Sequence, residues 1–186
     1  MKRILVLVLM LITMICSSVN AAITTDAGVL GGLERNSDLY SYLNMYHYRL
    51  WKSDHRFMEH DMYISQDDAV IVSIFNDRLD AIYILKPGYK TNKGIEVGMD
   101  LNAVKNVYGP IYDWYEDDSH IGGNLIGNGQ GKYRKYYGVE YVSKENSGLS
   151  FVISNDTYNV VLIRYQKNRH GNTHVFSDVE SYNLLS

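Results

Sequence analysis

The chain has 186 residues, with 18 basic and 21 acidic side chains and a formal net charge of −3. A chain of this length can bury a hydrophobic core of its own, so it needs neither disulfides nor a structural metal for stability. The acidic balance argues against nucleic acid, and against an anionic membrane surface, as the main partner.

The first 21 residues have the pattern of a secretory signal peptide. Lys2 and Arg3 precede an apolar run over 4–15, and Val19 and Ala21 occupy positions −3 and −1 of a cleavage site. The apolar run is too short to span a membrane. We therefore expect cleavage after Ala21, no membrane span in the mature chain, and a secreted or periplasmic protein. Loss of the two basic residues changes the net charge from −3 to −5.

The single cysteine of the sequence, Cys16, lies within this signal segment. A lipid anchor on Cys16 is the alternative to simple release, but Ile15 stands where a lipidation motif needs a small residue. The mature chain then contains no cysteine. Disulfides and thiol catalysis are excluded on that basis.

Two segments of the sequence, 32–46 and 94–108, are similar to each other and lie 62 positions apart. They share six identical pairs: Gly32/Gly94, Glu34/Glu96, Asp38/Asp100, Leu39/Leu101, Asn44/Asn106 and Tyr46/Tyr108. Agreement of this kind over so short a window indicates a duplication. We predict an α+β fold of two tandem repeats, 28–90 and 91–166, each a short helical segment packed on a small antiparallel β-meander.

The helix signals are clearest in the second copy. Asp100 is a suitable N-cap, apolar residues recur at helical spacing over 101–108, and Gly109 with Pro110 forms a stop signal. The first copy has His47 where the second has Gly109. We therefore expect the first helix to end less sharply than the second.

Alternating apolar runs after each helix predict antiparallel strands. In the first repeat they lie at 61–65, 69–75 and 79–85, and in the second at 133–142, 149–154 and 159–165. The charged and aromatic segment 49–59 is interpreted as a connector.

The second repeat is longer than the first because of an insertion at 114–132. An acidic, aromatic half is followed by a glycine-rich half. Long insertions in compact domains are often functional, so we predict a protruding loop or β-arm. Deletion of 122–131 should leave the fold intact but weaken partner binding. The polar C-terminal tail, 167–186, fits an edge strand, a short docked helix or disorder.

The pattern Gly94-Ile95-x-Val97-Gly98-Met99-x-Leu101, continuing to Tyr108-Gly109 and an antiparallel meander, resembles the repeat unit of two protein families. They are the β-lactamase inhibitory proteins and the small outer-membrane lipoproteins of the barrel-assembly machinery. In that fold a helical segment packs on one face of a small antiparallel sheet, and the inhibitor has two such units. The resemblance implies an exported domain that grips another protein across the open faces of its sheets.

Signatures of catalysis are absent from the sequence: it has no GxSxG, HExxH, P-loop or CxxC motif. An alternative function, as a small cell-envelope hydrolase or metal-dependent enzyme, would use Asp117, Asp118, His120, His170 and His174. The spacing of the two late histidines suits zinc, but they lie in poor helix sequence, and the acidic group lacks calcium-loop spacing. We predict no enzyme activity, no metal site and no cofactor.

Tyrosine is unusually frequent, at 17 residues. Tyrosine and tryptophan offer large contact areas at little entropic cost, although strand propensity also favours them. We expect Tyr63, Tyr83, Tyr137 and Tyr141 on the sheet face opposite the core. The full set of predicted protein-binding residues is Trp51, Tyr63, Tyr83, Trp114, Tyr115, Tyr137 and Tyr141.

Together these features predict an exported, non-catalytic protein-binding module that acts through aromatic sheet faces and the 114–132 loop. Its partner is another exported or envelope protein, such as an enzyme that it inhibits or an assembly machine. Self-association by pairing of edge strands stays open. A small apolar or peptidoglycan-derived ligand bound between the repeats is a third interpretation.

Overall fold

The computed structural model describes residues 36–54, 60–112, 123–128, 131–142, 147–167 and 175–185. These residues form an α+β fold of helices and strands in the following order: α1 (Asn36–Met45), β1 (Arg49–Asp54), β2 (His60–Ile64), β3 (Val70–Phe75), β4 (Arg78–Ile84), α2 (Leu101–Tyr108), β5 (Ile111–Tyr112), β6 (Gly123–Asn128), a 3₁₀ turn (Gly131–Tyr133), β7 (Tyr136–Val142), β8 (Gly148–Ser154), β9 (Val160–Gln166) and α3 (Val175–Tyr182).

All nine strands belong to one sheet, in the order β1-β2-β3-β4-β9-β8-β7-β6-β5. Neighbouring strands are antiparallel except for the two-residue β5, which pairs with β6 in parallel. The expectation of two separate small sheets is therefore wrong, because β4 and β9 join the two halves of the chain into one sheet. The duplication itself, and the division into two repeats, stays a prediction.

Helix α2 is built as the sequence predicts. The Asp100 side chain accepts a hydrogen bond from the Ala103 N–H at 2.9 Å, and Gly109 adopts a φ of 101° just after the helix. The side chain of Asp100 satisfies a donor that the first turn leaves open, and only glycine adopts this φ at no steric cost. Val104 faces the core and is fully buried.

Helix α1 ends as sharply as α2, contrary to the expectation. His47 takes the left-handed conformation with a φ of 56°. The N–H of Tyr48 donates to the carbonyl of Leu43 at 2.8 Å, and the N–H of His47 donates to that of Asn44 at 3.1 Å. This pair of bonds is a Schellman motif, with a histidine where glycine is usual.

Three further strands, β1, β6 and the two-residue β5, lie where the sequence predicted none. The first part of the expected connector is β1, the edge strand paired with β2. The glycine-rich half of the insertion includes β6, which pairs with β7 and buries Ile126 to 1% exposure. The prediction of a protruding arm is wrong for this part, and deletion of 122–131 would remove a strand of the sheet. Residues 113–122 lie outside the described chain.

Helices cover both faces of the sheet. Leu39 of α1 and Val104 of α2 share one buried cluster with alternate strand residues such as Ile82. Residues of α3, including Val179, share a second cluster with the intervening residues of the same strands, such as Ile71. Because successive strand residues point to opposite faces, α3 packs on the face opposite α1 and α2. The C-terminal tail thus supplies a docked helix.

Candidate protein-binding surface

Three of the predicted binding residues lie on the face of the sheet that α1 and α2 cover. Tyr63, Tyr137 and Tyr141 are half-buried and pack against the cluster of that face. The expectation that they lie opposite the core is wrong, because each face of the sheet has its own core. Tyr141 also donates from its hydroxyl to the Gly109 carbonyl at 3.0 Å, so it helps to hold the end of α2.

The other candidates are distributed over the rest of the chain. Tyr83 is only 2% exposed beneath α3, so the structure contradicts its place on an open surface. Trp51 packs against the α3 side, with the Lys52 ammonium 4.1 Å from the centre of its ring. Trp114 and Tyr115 lie outside the described residues.

One surface brings exposed apolar and aromatic groups together at the β1 edge of the sheet. Leu50 of β1 is 55% exposed and lies directly across from Tyr63 of β2. Tyr40 of α1 makes an edge-to-face contact with Tyr63, with ring centroids 6.1 Å apart. We name Tyr40, Leu50, Tyr63 and the two flanking carboxylates Asp61 and Asp77 the edge surface. The sequence analysis identified only Tyr63 of these five.

Local backbone features position this surface. The register of β1 shifts between Leu50 and Lys52, so Trp51 is the extra residue of a bulge. Bulges bend an edge strand and interrupt its free hydrogen-bonding edge. At the β3–β4 hairpin, Asn76 and Asp77 have φ values of 46° and 58°. This is the two-residue turn that suits the twist of a hairpin, and it fixes the Asp77 carboxylate beside α1.

The edge surface carries negative charge. The Tyr40 hydroxyl donates to Asp77 Oδ1 at 3.1 Å, and the Ser53 hydroxyl donates to Asp61 Oδ1 at 2.6 Å. Burial, the hydrogen bond to Asp77 and the nearby carboxylates raise the pKa of Tyr40 to about 12. Burial, followed by the charges of Asp61 and Asp77, also raises the pKa of Tyr63. Both phenols therefore keep their protons at neutral pH and act as donors or aromatic faces.

A second polar cluster lies under α3, at the centre of the sheet. Arg164 of β9 is 1% exposed, and its Nε lies 2.6 Å from Asp178 Oδ2 of α3. The Tyr83 hydroxyl donates to the same carboxylate oxygen at 3.1 Å. On the next strands, Ser150 and the buried Glu140 continue the cross-strand row from Arg164. A charged residue inside each apolar strand was the signal that could have revealed this cluster.

The chemistry of this cluster is that of a structural anchor. Burial alone would lower the pKa of Arg164, but the negative charge of Asp178 and the contact with Tyr83 raise it, so the guanidinium stays charged. A buried charge without a partner costs several kcal/mol, and Asp178 supplies that partner from α3. The ion pair therefore ties α3 to the sheet.

The residues expected to serve an enzyme belong to two segments, 113–122 and 168–174, that the structure does not describe. These residues are Asp117, Asp118, His120, His170 and His174. Within the described ranges there is no group of three or more potential metal ligands. The structure does pair His60 Nε2 with the Ser73 hydroxyl at 2.7 Å, but Ser73 is fully buried in β3 and offers no substrate access.

No protein family and no curated protein matches this sequence. Three solved structures match in three dimensions. The uncharacterized protein YfeY of Escherichia coli is 12% identical with a TM-score of 0.46, over 78% of this chain and 97% of that one. An extracellular SCP-domain protein of Bacillus anthracis is 12% identical with a TM-score of 0.45, over 79% of this chain and 46% of that one. A cysteine-rich secretory protein of Staphylococcus aureus is 13% identical with a TM-score of 0.44, over 81% of this chain and 48% of that one. The chain thus spans about half of the latter two.

The sheet corrects the resemblance inferred from the repeat. The described strands form one nine-stranded sheet rather than two small ones. The resemblance to those families is therefore wrong. Among the described helices, none has the length and apolar character needed to cross a membrane.

Proposed function

We propose that this chain is an exported module that binds another protein through its edge surface and performs no catalysis. The observation that carries the proposal is the exposed Leu50 beside the Tyr40–Tyr63 pair. Interface centres are rich in tyrosine and large apolar side chains, which lose little rotamer entropy on binding. An apolar residue this exposed on an edge strand, next to two aromatic rings, gives a partner an anchor point.

Binding through side chains suits this edge better than addition of a strand. The bulge at Trp51 interrupts the free edge of β1. Arg49 and Lys52 are charged residues of the same strand, paired with Asp68 and bonded to the Tyr182 carbonyl respectively, and both bulges and charged edge residues protect edges from pairing. Self-association through paired β1 strands is therefore disfavoured, and the partner is a different protein that contacts the α1 side of the edge.

Export is supported by the sequence rather than by the fold. The basic end, apolar run and small residues of 1–21 direct a chain out of the cytoplasm, and a mature chain without cysteine is stable in any redox compartment. A partner encountered after export is itself a secreted or envelope protein. The acidic, aromatic half of the insertion, with Trp114 and Tyr115, is a second proposed contact region.

The test is affinity capture with the tagged chain from the envelope and culture medium of the native organism, after brief cross-linking, read by mass spectrometry. Three baits are compared: the native chain, Leu50→Ser, and the matched control Val142→Ser, which removes another exposed apolar side chain from a strand. We expect one saturable partner that Leu50→Ser loses and Val142→Ser retains. The proposal is wrong if Leu50→Ser captures the same partner equally well while remaining folded.

A further inference from the structure

We propose that the edge surface recognises a lysine or arginine side chain of the partner, seated against the rings of Tyr40 and Tyr63 and held by Asp77. This inference rests on the proposed function and names the chemistry of its contact. Three observations carry it: the charge of the surface, the way the chain uses its other cations, and the fixed position of Asp77.

The first observation is the sign of the charge around the two rings. Asp77 accepts the Tyr40 hydroxyl, and the charges of Asp61 and Asp77 act on both tyrosines. The carboxylates therefore lie close enough to the rings to affect their ionisation. A cation that approaches the rings meets both the negative face of an aromatic system and a carboxylate, and the two attractions add.

The second observation is that the described chain places its own lysines over other rings. The ammonium of Lys52 lies 4.1 Å from the Trp51 ring centre, and those of Lys93 and Lys132 lie 4.6 and 4.9 Å from the rings of Tyr108 and Tyr133. Within the described residues, no lysine or arginine lies over Tyr40 or Tyr63. Among the described side chains, therefore, no cation of the chain itself competes for these two rings.

The third observation is the fixed backbone position of Asp77. Asp77 sits in the tight β3–β4 turn with a φ of 58°, so its backbone is fixed by the hairpin. Leu50 lies on the far side of Tyr63 and supplies the apolar part of the site. A basic side chain with apolar neighbours matches this arrangement, because its methylene stem packs on Leu50 and Tyr63 while its charge reaches Asp77.

The test uses the full chain and three acetylated, amidated pentapeptides of the form Ala-Leu-X-Leu-Ala, where X is lysine, glutamine or glutamate. Binding is followed through the NMR signals of the Tyr40 and Tyr63 rings. We expect the lysine peptide to bind about two- to fivefold more tightly than the glutamine peptide, the range of an exposed ion pair, and the glutamate peptide to bind weakest. The advantage of lysine should shrink as salt is added.

Two charge-removing variants locate the effect. Asp77→Asn keeps a residue that tolerates the left-handed turn, so the hairpin is retained while the charge is lost. Asp156→Asn removes one negative charge from the exposed β8–β9 turn, so this variant has the same net charge as Asp77→Asn. We expect the advantage of lysine over glutamine to vanish in Asp77→Asn and to persist in Asp156→Asn.

The outcomes separate this inference from the proposed function. Equal binding of the lysine and glutamine peptides to the native chain, or no response of the two rings, overturns the cation site. So does an advantage of lysine that survives Asp77→Asn. Each of these results leaves the proposed function standing if capture of the partner still depends on Leu50. Capture that does not depend on Leu50 overturns the proposed function itself.

Discussion

Two tyrosine–aspartate hydrogen bonds in this protein have the same length and opposite roles. Tyr40 donates to Asp77 at 3.1 Å on the edge surface, and Tyr83 donates to Asp178 at 3.1 Å beneath α3. Asp178, whose side chain is 16% exposed, also lies 2.6 Å from the guanidinium nitrogen of Arg164. Among the described side chains, the exposed Asp77 has Tyr40 as its hydrogen-bond partner.

The difference shows that burial decides what a polar contact does. In the interior an uncompensated carboxylate is too costly, so Asp178 is neutralised by Arg164 and the whole group becomes part of the fold. At the surface the Asp77 carboxylate stays hydrated, so it needs no buried partner and its charge can interact with an external cation. The predictions below test this contrast, from the largest expected effect to the smallest.

Arg164→Met should be the most destabilising change. It leaves Asp178 buried next to Tyr83 without its cation, and breaking a buried pair in this way costs about 3–5 kcal/mol. The measurement is the free energy of unfolding in urea. Arg164→Met combined with Asp178→Leu removes both charges of the pair and should recover part of the loss, because the buried Glu140 still lacks the positive charge of Arg164. A single variant as stable as the native chain would contradict the anchor role of the pair.

The two tyrosines should respond differently to removal of the hydroxyl. Tyr83→Phe takes a hydrogen bond from a buried carboxylate and should cost about 1–3 kcal/mol of unfolding free energy. Tyr40→Phe removes an exposed hydrogen bond of the same length and should change stability by less than about 0.5 kcal/mol. Equal losses in urea unfolding would show that burial does not separate the two sites.

Alkaline pH should distinguish the same pair. The pKa of Tyr40 is raised to about 12, and burial raises the pKa of Tyr83 well above its usual value. The folded chain therefore holds protons that the unfolded chain releases above about pH 10, so stability falls as pH rises. Each group contributes at most about 1.4 kcal/mol per pH unit to that fall.

The measurement is the pH slope of the unfolding free energy. Tyr83→Phe should flatten the slope throughout the range above about pH 10, whereas Tyr40→Phe should flatten it only up to about pH 12. An unchanged slope in Tyr83→Phe would mean that this hydroxyl is not protected from solvent.

The smallest effects on stability are expected at the edge surface itself. Leu50→Ser and Asp77→Asn alter exposed side chains, and each should change the free energy of unfolding by less than about 0.5 kcal/mol. Their effect should be confined to partner and peptide binding. Thermal and urea unfolding, run beside the capture assay, check this separation, and a marked loss of stability in either variant would assign these residues to the fold instead.

Local signals in the sequence predicted the parts of the fold that local physics controls. The caps of α2 at Asp100 and Gly109 and the alternating strands β3, β8 and β9 follow from side-chain pattern and backbone freedom alone. Strand β1 was missed because its bulge at Trp51 breaks the alternation, and because a charged edge strand resembles a connector.

The site was less predictable than the fold because it depends on packing between distant segments. A period-two pattern places Tyr63 and Tyr83 on definite faces, but it does not reveal that α3 covers one of these faces. Tyr40 and Asp77 lie 37 positions apart in the sequence, and they meet because α1 lies beside the β3–β4 hairpin. Arg164 could have been suspected from its place within an apolar strand, but its partner Asp178 could not.

The joining of β4 to β9 also sets the order in which the chain can fold. Ile82 and Tyr165 are register partners at the middle of the sheet, although they lie far apart along the chain. Strands β1 to β4 can form from local hairpins, whereas the central pair must wait for the last strand and close a long loop. Until β9 arrives, β4 presents an open apolar edge, so a chain that emerges N-terminus first is most vulnerable to aggregation before its final strand is delivered.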